Sequence, residues 1–210
     1  INYYPESLPY HYYLGISLLQ QKKEQAACDI LSQGLLTRTE DAQPILVSDM
    51  FAILGDVYHQ QHREEEGFAA YDSALVYNAD NIGCLNNYAY YLSLRGEQLD
   101  RAEEMSYLTI RAEPKNITYL DTYAWSLFMK EDYVGARNYI ERVVNPASSR
   151  DSILAEEHLT GVLYEHAGDI YALCGQMDEA LRYWKLAIER DDTGSALLRK
   201  KIKKKKYLTK

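Results

Sequence analysis

Cysteine is scarce in this chain: three residues in 210, Cys28, Cys84 and Cys174, an odd number spread far apart. That argues against a disulfide framework and favours burial as small apolar side chains, leaving the redox compartment open. Missing too is any run approaching the ~20 apolar residues that a membrane-spanning helix needs. There is no glycine-rich phosphate loop, no Cys/His zinc spacing and no nucleophile-elbow serine, which removes the common nucleotide, structural-zinc and hydrolase readings. Phenylalanine and tryptophan are few, three and two residues, whereas tyrosine supplies 20. A tyrosine ring can fill a seam between helices while its hydroxyl reaches water or a partner.

What the chain does have is a recurrence. A small residue stands at Gly15, Gly55, Ala89, Ala124 and Gly168, followed by a second small residue at Ala27, Gly67, Ala102, Ala136 and Ala180. The spacing is 12 residues in four cases and 13 in the third, where Gln98 is the extra residue. Two small residues at this distance let consecutive antiparallel helices approach closely, with larger side chains filling the seam around them. Around Gly55 the frame reads Phe51, Leu54, Tyr58, Gly67, Tyr71 and Ala74; around Gly168 it reads Tyr164, Ala167, Tyr171, Ala180, Trp184 and Ala187.

The spacing predicts helix pairs at about 9–21 with 24–37, 43–61 with 64–77, 82–95 with 99–112, 117–130 with 133–144, and 151–174 with 177–190, then a last helix at 195–207. Frames starting at residues 8, 48, 82, 117 and 161 expose two irregular steps. Near Thr37–Pro44 the extra residues form either a loop or a lengthened first helix. The run Asn145–Ser149 reads as a loop, and Asp151 as the start of a long helix.

These frames resemble the tetratricopeptide repeat, whose unit carries large apolar residues at such positions and a closing proline. Pro114 matches that proline; Thr39, Ala79 and Asp192 stand near its place in other units. The resemblance implies an all-α fold, a right-handed α-solenoid of antiparallel helix pairs ending in a capping helix. It assigns repeats to about 8–41, 48–81, 82–116, 117–150 and 161–194. Pro5, after Tyr3 and Tyr4, falls where a preceding unit would end, and the chain opens on Ile1. Residues 1–7 are therefore expected to be the tail of an earlier repeat in one longer array, of which 1–210 is a single fragment.

Signals for catalysis are weak, and the expectation is a non-enzyme without cofactor or metal. His59 and His62 lie three apart with no specified third ligand. Asp192-Thr193-Gly194 spells the aspartic-protease triplet once only, without a second copy or any β pattern. His158 and Asp169 resemble recurring histidine and acidic positions of bacterial repeat proteins, which implies structural hydrogen bonding.

The family frame places the first helix of each pair on the concave side. The candidate lining is Tyr12, Tyr13 and Ile16; Asp49, Ile53, Asp56 and His59; Asn86, Asn87 and Tyr90; Asp121, Thr122, Trp125 and Phe128; and Glu165, His166 and Asp169. Among these Tyr12, Tyr13, Asp56, Asn86, Asn87, Tyr90, Asp121, Trp125, Glu165 and Asp169 are the partner-binding candidates. The same residues have a structural reading: Tyr90, Trp125 and Phe128 can pack between units, and Asn86, Asn87 and Asp121 can bond neighbouring helices. The lining contains no lysine or arginine, so it lacks the basic clamp with which related modules hold acidic chaperone tails. It suits a protein or peptide partner with basic or polar side chains.

From Arg199 to Lys210 the chain holds eight of its 23 basic residues and no acidic one, leaving 15 basic against 31 acidic in the rest. Leu197, Leu198 and Ile202 predict the inner side of a capping helix, with Arg199, Lys200, Lys201 and Lys203–Lys206 facing water. No aromatic interleaving or groove-reading motif accompanies these charges, which argues against nucleic acid as the partner.

Leu85–Leu92, Tyr119–Trp125, Glu157-His158 and Gly168-Asp169 together resemble the C-terminal part of repeat proteins of Gram-negative bacteria. That likeness implies a scaffold on the periplasmic side of the cell envelope. Two other functions fit the same residues. One is self-association, with a homodimer through an amino-terminal face near Tyr10, Leu14 and Leu18. The other is a recognition segment whose activity lies upstream.

Overall fold

The computed structural model describes residues 7–39, 42–145, 159–190 and 196–209. Regular structure among them is entirely helical: α1 (Leu8–Gln20), α2 (Glu24–Thr37), α3 (Pro44–Gln60), α4 (Glu64–Tyr77), α5 (Ile82–Arg95), α6 (Leu99–Ala112), α7 (Ile117–Met129), α8 (Tyr133–Val144), α9 (Gly161–Leu173), α10 (Met177–Arg190) and α11 (Ala196–Lys204). The chain divides into two compact units, Ile1–Tyr88 and Ala89–Lys210, so α5 gives its first half to one and its second half to the other. No described helix is long and apolar enough to cross a membrane.

The turn inside each helix pair is built the same way five times. Lys22, His62, Gly96, Glu131 and Gly175 all have left-handed backbone, with φ between 58° and 77°. Each follows its frame's first small residue by seven positions. The next residue's amide donates back five positions, as in Lys23 N to Leu18 O at 2.9 Å, Arg63 N to Tyr58 O at 2.8 Å and Gln176 N to Tyr171 O at 2.9 Å. These are Schellman closures, which satisfy carbonyls that the helix end would otherwise leave unpaired. In the third pair Gln98 adds a second left-handed residue, φ 46°, and thereby absorbs the extra position. Two first turns in unit two are capped by side chains: Asn116 Oδ1 accepts from the amides of Thr118 and Tyr119 at 3.1 and 3.3 Å, and Asp132 from Gly135 at 2.9 Å.

The small residues face large ones across the seam. A Cβ on Gly55 would lie 2.5 Å from the Tyr71 ring, and one on Gly67 would lie 2.6 Å from the His59 ring. Contacts that converge on the turn from both sides are those of an antiparallel pair. On Gly15 a Cβ would meet Leu31 at 2.6 Å, and on Gly168 it would meet Trp184 at 2.3 Å. Leu31, Tyr71 and Trp184 are each 16 residues beyond their glycine, and all three are fully buried. Around these seams unit one buries Leu35, Val47, Met50, Leu54 and Val57, and unit two buries Leu120, Phe128, Ile140, Val143 and Ile170. Cys28 and Cys84 are buried among such residues and Cys174 is half-buried; burial raises the pKa of the Cys28 and Cys174 thiols.

Two connections differ from a plain 34-residue rhythm. The irregular step after Thr37 is taken up in part by α3, which starts at Pro44 and runs 17 residues. The long helix expected from 151 does not run unbroken into α9. Thr160 has extended backbone, φ −87° and ψ 165°, and its hydroxyl accepts from Leu163 N at 3.4 Å, so a new helix begins at Gly161. The expected loop at Pro146–Ser149 and helix start at Asp151 lie outside the described residues, as do Tyr3, Tyr4, Pro5, His158 and Asp192-Thr193-Gly194.

Candidate functional site

In unit one the candidates fall into two groups. Tyr12 and Tyr13, adjacent on α1, hold their rings edge to face at 5.2 Å, and Tyr13 is 68% exposed. Burial and the nearby Asp49 charge raise the Tyr12 hydroxyl pKa. The second group is a hydrogen-bonded chain. Asn86 Nδ2 donates to Asn87 Oδ1 at 3.0 Å, and Asn87 Nδ2 donates to Asp56 Oδ1 at 2.9 Å. Tyr71 Oη donates to the same Asp56 oxygen at 2.5 Å. Desolvation raises the Asp56 carboxyl, and the bonds from Tyr71 and Asn87 oppose it. His59 is buried in the α3–α4 seam between the rings of Phe68, 4.7 Å away, and Tyr71, 5.5 Å away. His62 forms the left-handed turn beyond it. A cavity of about 450 Å³ opens beside Arg38, Val47 and Tyr77, and none of the candidate residues lines it.

In unit two the candidates converge on α7 and α9. His166 Nδ1 lies 2.9 and 3.0 Å from the two Asp121 carboxylate oxygens, and both side chains are buried. The Trp125 ring stacks on the His166 ring at 4.0 Å and on Phe128 at 4.8 Å, with Tyr90 tilted 6.1 Å from the histidine. Burial, then the charge of Asp121, raises the Tyr90 hydroxyl pKa. Trp125 is 8% exposed, and its indole nitrogen has no hydrogen-bond partner among the described residues.

Glu165 and Asp169, one turn apart on α9, share a cation that the sequence reading put in water. Lys201 is 2% exposed. Its ammonium group lies 2.7 and 2.8 Å from the Asp169 oxygens and 2.9 Å from Glu165 Oε1. The expectation that Lys201 faces out is therefore corrected. It follows Leu198 by three positions on α11, so the two share a face, and both are buried. Trp184 Nε1 donates to Asp169 Oδ1 at 2.9 Å. Even so, desolvation outweighs the lysine and indole and lifts the Asp169 carboxyl to about 6. Tyr207, beyond α11, sets its ring edge to face on Phe128 at 5.6 Å, with the Lys201 ammonium 5.5 Å from the same ring.

The chemistry on hand is acceptor-rich: carboxylates on α3, α7 and α9, amides on α5, and aromatic faces beside them. Sequence reasoning missed Lys201, and it missed the bonds from Tyr71 and Trp184. The signal for the latter was present, since an aromatic donor stands 15 residues after the aspartate in both Gly55-Asp56 and Gly168-Asp169.

No protein-family model and no curated sequence matches the chain. Solved structures do. MamA from Desulfovibrio magneticus RS-1 is 9% identical with a TM-score of 0.64, covering 89% of this chain and 96% of its own. A thermophilic TPR protein of Thermus thermophilus, TTC0263, is 13% identical with a TM-score of 0.62, covering 95% and 98%. A tetratricopeptide repeat protein from Parabacteroides merdae is 18% identical with a TM-score of 0.60, covering 93% and 85%. The fold is that of tetratricopeptide-repeat proteins. At these identities the likeness concerns the all-α solenoid fold and nothing more specific.

Proposed function

We propose that the chain is a non-catalytic scaffold that binds a protein or peptide on the faces of its first helices, α1, α3, α5, α7 and α9. Its preferred ligands carry lysine or arginine together with aromatic side chains. The observation that carries this reading is the fate of Lys201: a face of α9 desolvates a lysine almost completely and holds it by three oxygen contacts. Breaking such a pair strands a buried charge, so a face like this discriminates strongly between cations and anions. Asp56, Asn86, Asn87 and Tyr90 extend the same acceptor character to other first helices, and Tyr12 and Tyr13 add aromatic surface. Asp121 and Trp125 are buried against His166 on α9, and Trp125 stacks on Phe128.

The test is a panel of fluorescent peptides added to the full chain: lysine-rich amphipathic helices, neutral helices and aspartate-rich tails. Anisotropy reads affinity, and amide shift changes read location. Cationic peptides should bind with changes confined to the first helices, and acidic tails should not bind. Equal binding of acidic tails, or changes confined to α2, α4, α6, α8 and α10, would reject the proposal.

A further inference from the structure

Asp56 and Asp169 occupy the same place in their frames, one residue after the seam glycine, and each accepts from an aromatic donor on the second helix of its pair. They differ in what arrives from the following helix. On Asp56 it is Asn87, the sixth residue of α5. On Asp169 it is Lys201, the sixth residue of α11. The third residues correspond as well: Cys84 and Leu198 are 1% and 3% exposed. So α11 stands where the first helix of a further repeat would stand, and it is the shortest helix described, nine residues ending in a run of exposed lysines. A helix of that length has little stability of its own and owes its order to the face it covers.

Resting on the scaffold reading above, we infer that the face formed by Glu165, Asp169 and Phe128 is a docking surface for a basic helix of another protein, and that α11 is its built-in, displaceable occupant. The partner's chemistry is copied from the occupant: an apolar residue, a lysine three positions later on the same face, and an aromatic ring about six positions beyond the lysine. Charge complementarity supports this choice, since Glu165 and Asp169 are a carboxylate pair that shares one buried cation among the described residues, Lys201. The carboxylate is also set in advance, because the Trp184 indole holds Asp169 without help from α11. A tethered occupant competes at an effective concentration on the order of millimolar, so the intact chain admits only partners that bind more strongly than its own helix.

The probe is a labelled synthetic peptide of residues 196–209, added to the full-length chain. Wild type should bind it weakly, because its own α11 is in place. A Lys201→Ala chain should bind it about tenfold tighter or more. A peptide carrying Lys201→Ala, or a chain carrying Lys201→Ala with Asp169→Asn, should lose that gain. If the folded Lys201→Ala chain binds no better than wild type, or binds both peptides alike, α11 is a fixed cap and the inference fails. Should Lys201→Ala not fold, hydrogen exchange on wild type decides: α11 amides opening ahead of α9 and α10 support displacement, and α11 amides protected equally with them overturn it. Binding of other cationic peptides at α1–α5 under a failed α11 result would leave the scaffold reading standing, so the two failures are distinguishable.

Discussion

The indole of Trp184 lies against Gly168 and donates its N–H to the neighbouring Asp169 at 2.9 Å. One residue pair thereby ties the seam of the last repeat to the acceptor face of α9. The glycine admits the ring, the ring fixes the carboxylate, and the carboxylate holds Lys201. Tyr71, Gly55 and Asp56 repeat the first two steps in unit one.

Adding a methyl at the seam should be costly. Gly168→Ala and Gly55→Ala each force a buried aromatic ring off its backbone contact, and each should lose about 2 kcal/mol of stability. Gly83 lies near the start of α5, where a Cβ would meet only Asn81 Oδ1 at 3.8 Å. Gly83→Ala should therefore gain about 0.5 kcal/mol. Urea denaturation of the three variants measures the contrast.

The left-handed turns make a separate prediction. Gly175 has φ +77°, and a Cβ added there would meet nothing within 4 Å, so Gly175→Ala is opposed by backbone conformation alone. The loss should be about 1 kcal/mol. Glu131, with φ 65° at the equivalent turn, should tolerate glycine with no loss. Thermal melts should show a lowered midpoint for Gly175→Ala and an unchanged or raised one for Glu131→Gly.

Asp169 sets a pH dependence with a definite sign. Its carboxyl is raised from 3.8 to about 6, chiefly by desolvation. Between those values the folded chain keeps a proton that the unfolded chain has released, so this group's contribution to stability falls as pH rises toward 6. Wild type should lose about 2 kcal/mol relative to Asp169→Asn between pH 4 and pH 7. Parallel stability profiles would contradict the assignment.

Asp121 and His166 are buried against each other, so removing one strands the other. His166→Ala should cost about 3 kcal/mol. It should also change the emission of Trp125, which loses the ring stacked on it at 4.0 Å. A loss no larger than that of an exposed ion pair, under about 1 kcal/mol, would contradict a buried pair.

The sequence makes the repeat seams legible because a small residue has a steric consequence wherever it recurs. Gly55 and Gly168 announce close approach, and Gln98 was identifiable as an insertion by counting. The start of α9 was not legible: residues 151–174 carry apolar positions throughout, and nothing in that pattern marks the extended backbone of Thr160 that begins the helix at Gly161. Lys201 was hidden for a different reason. A lysine in a run of lysines reads as solvent-facing, and its burial depends on Glu165 and Asp169, more than thirty residues away. The site residues Asp56, Asn87 and Asp169 could be placed on first helices by frame, yet their bonding required knowing what the next helix delivers.

The most direct test is a double-mutant cycle between Asp169→Asn and Lys201→Met, read by hydrogen exchange of the α11 amides. The structure predicts that each single change deprotects α11 and that the two are coupled by at least about 1 kcal/mol, because they break one contact. Additive effects, or an α11 that stays protected without Lys201, would contradict it.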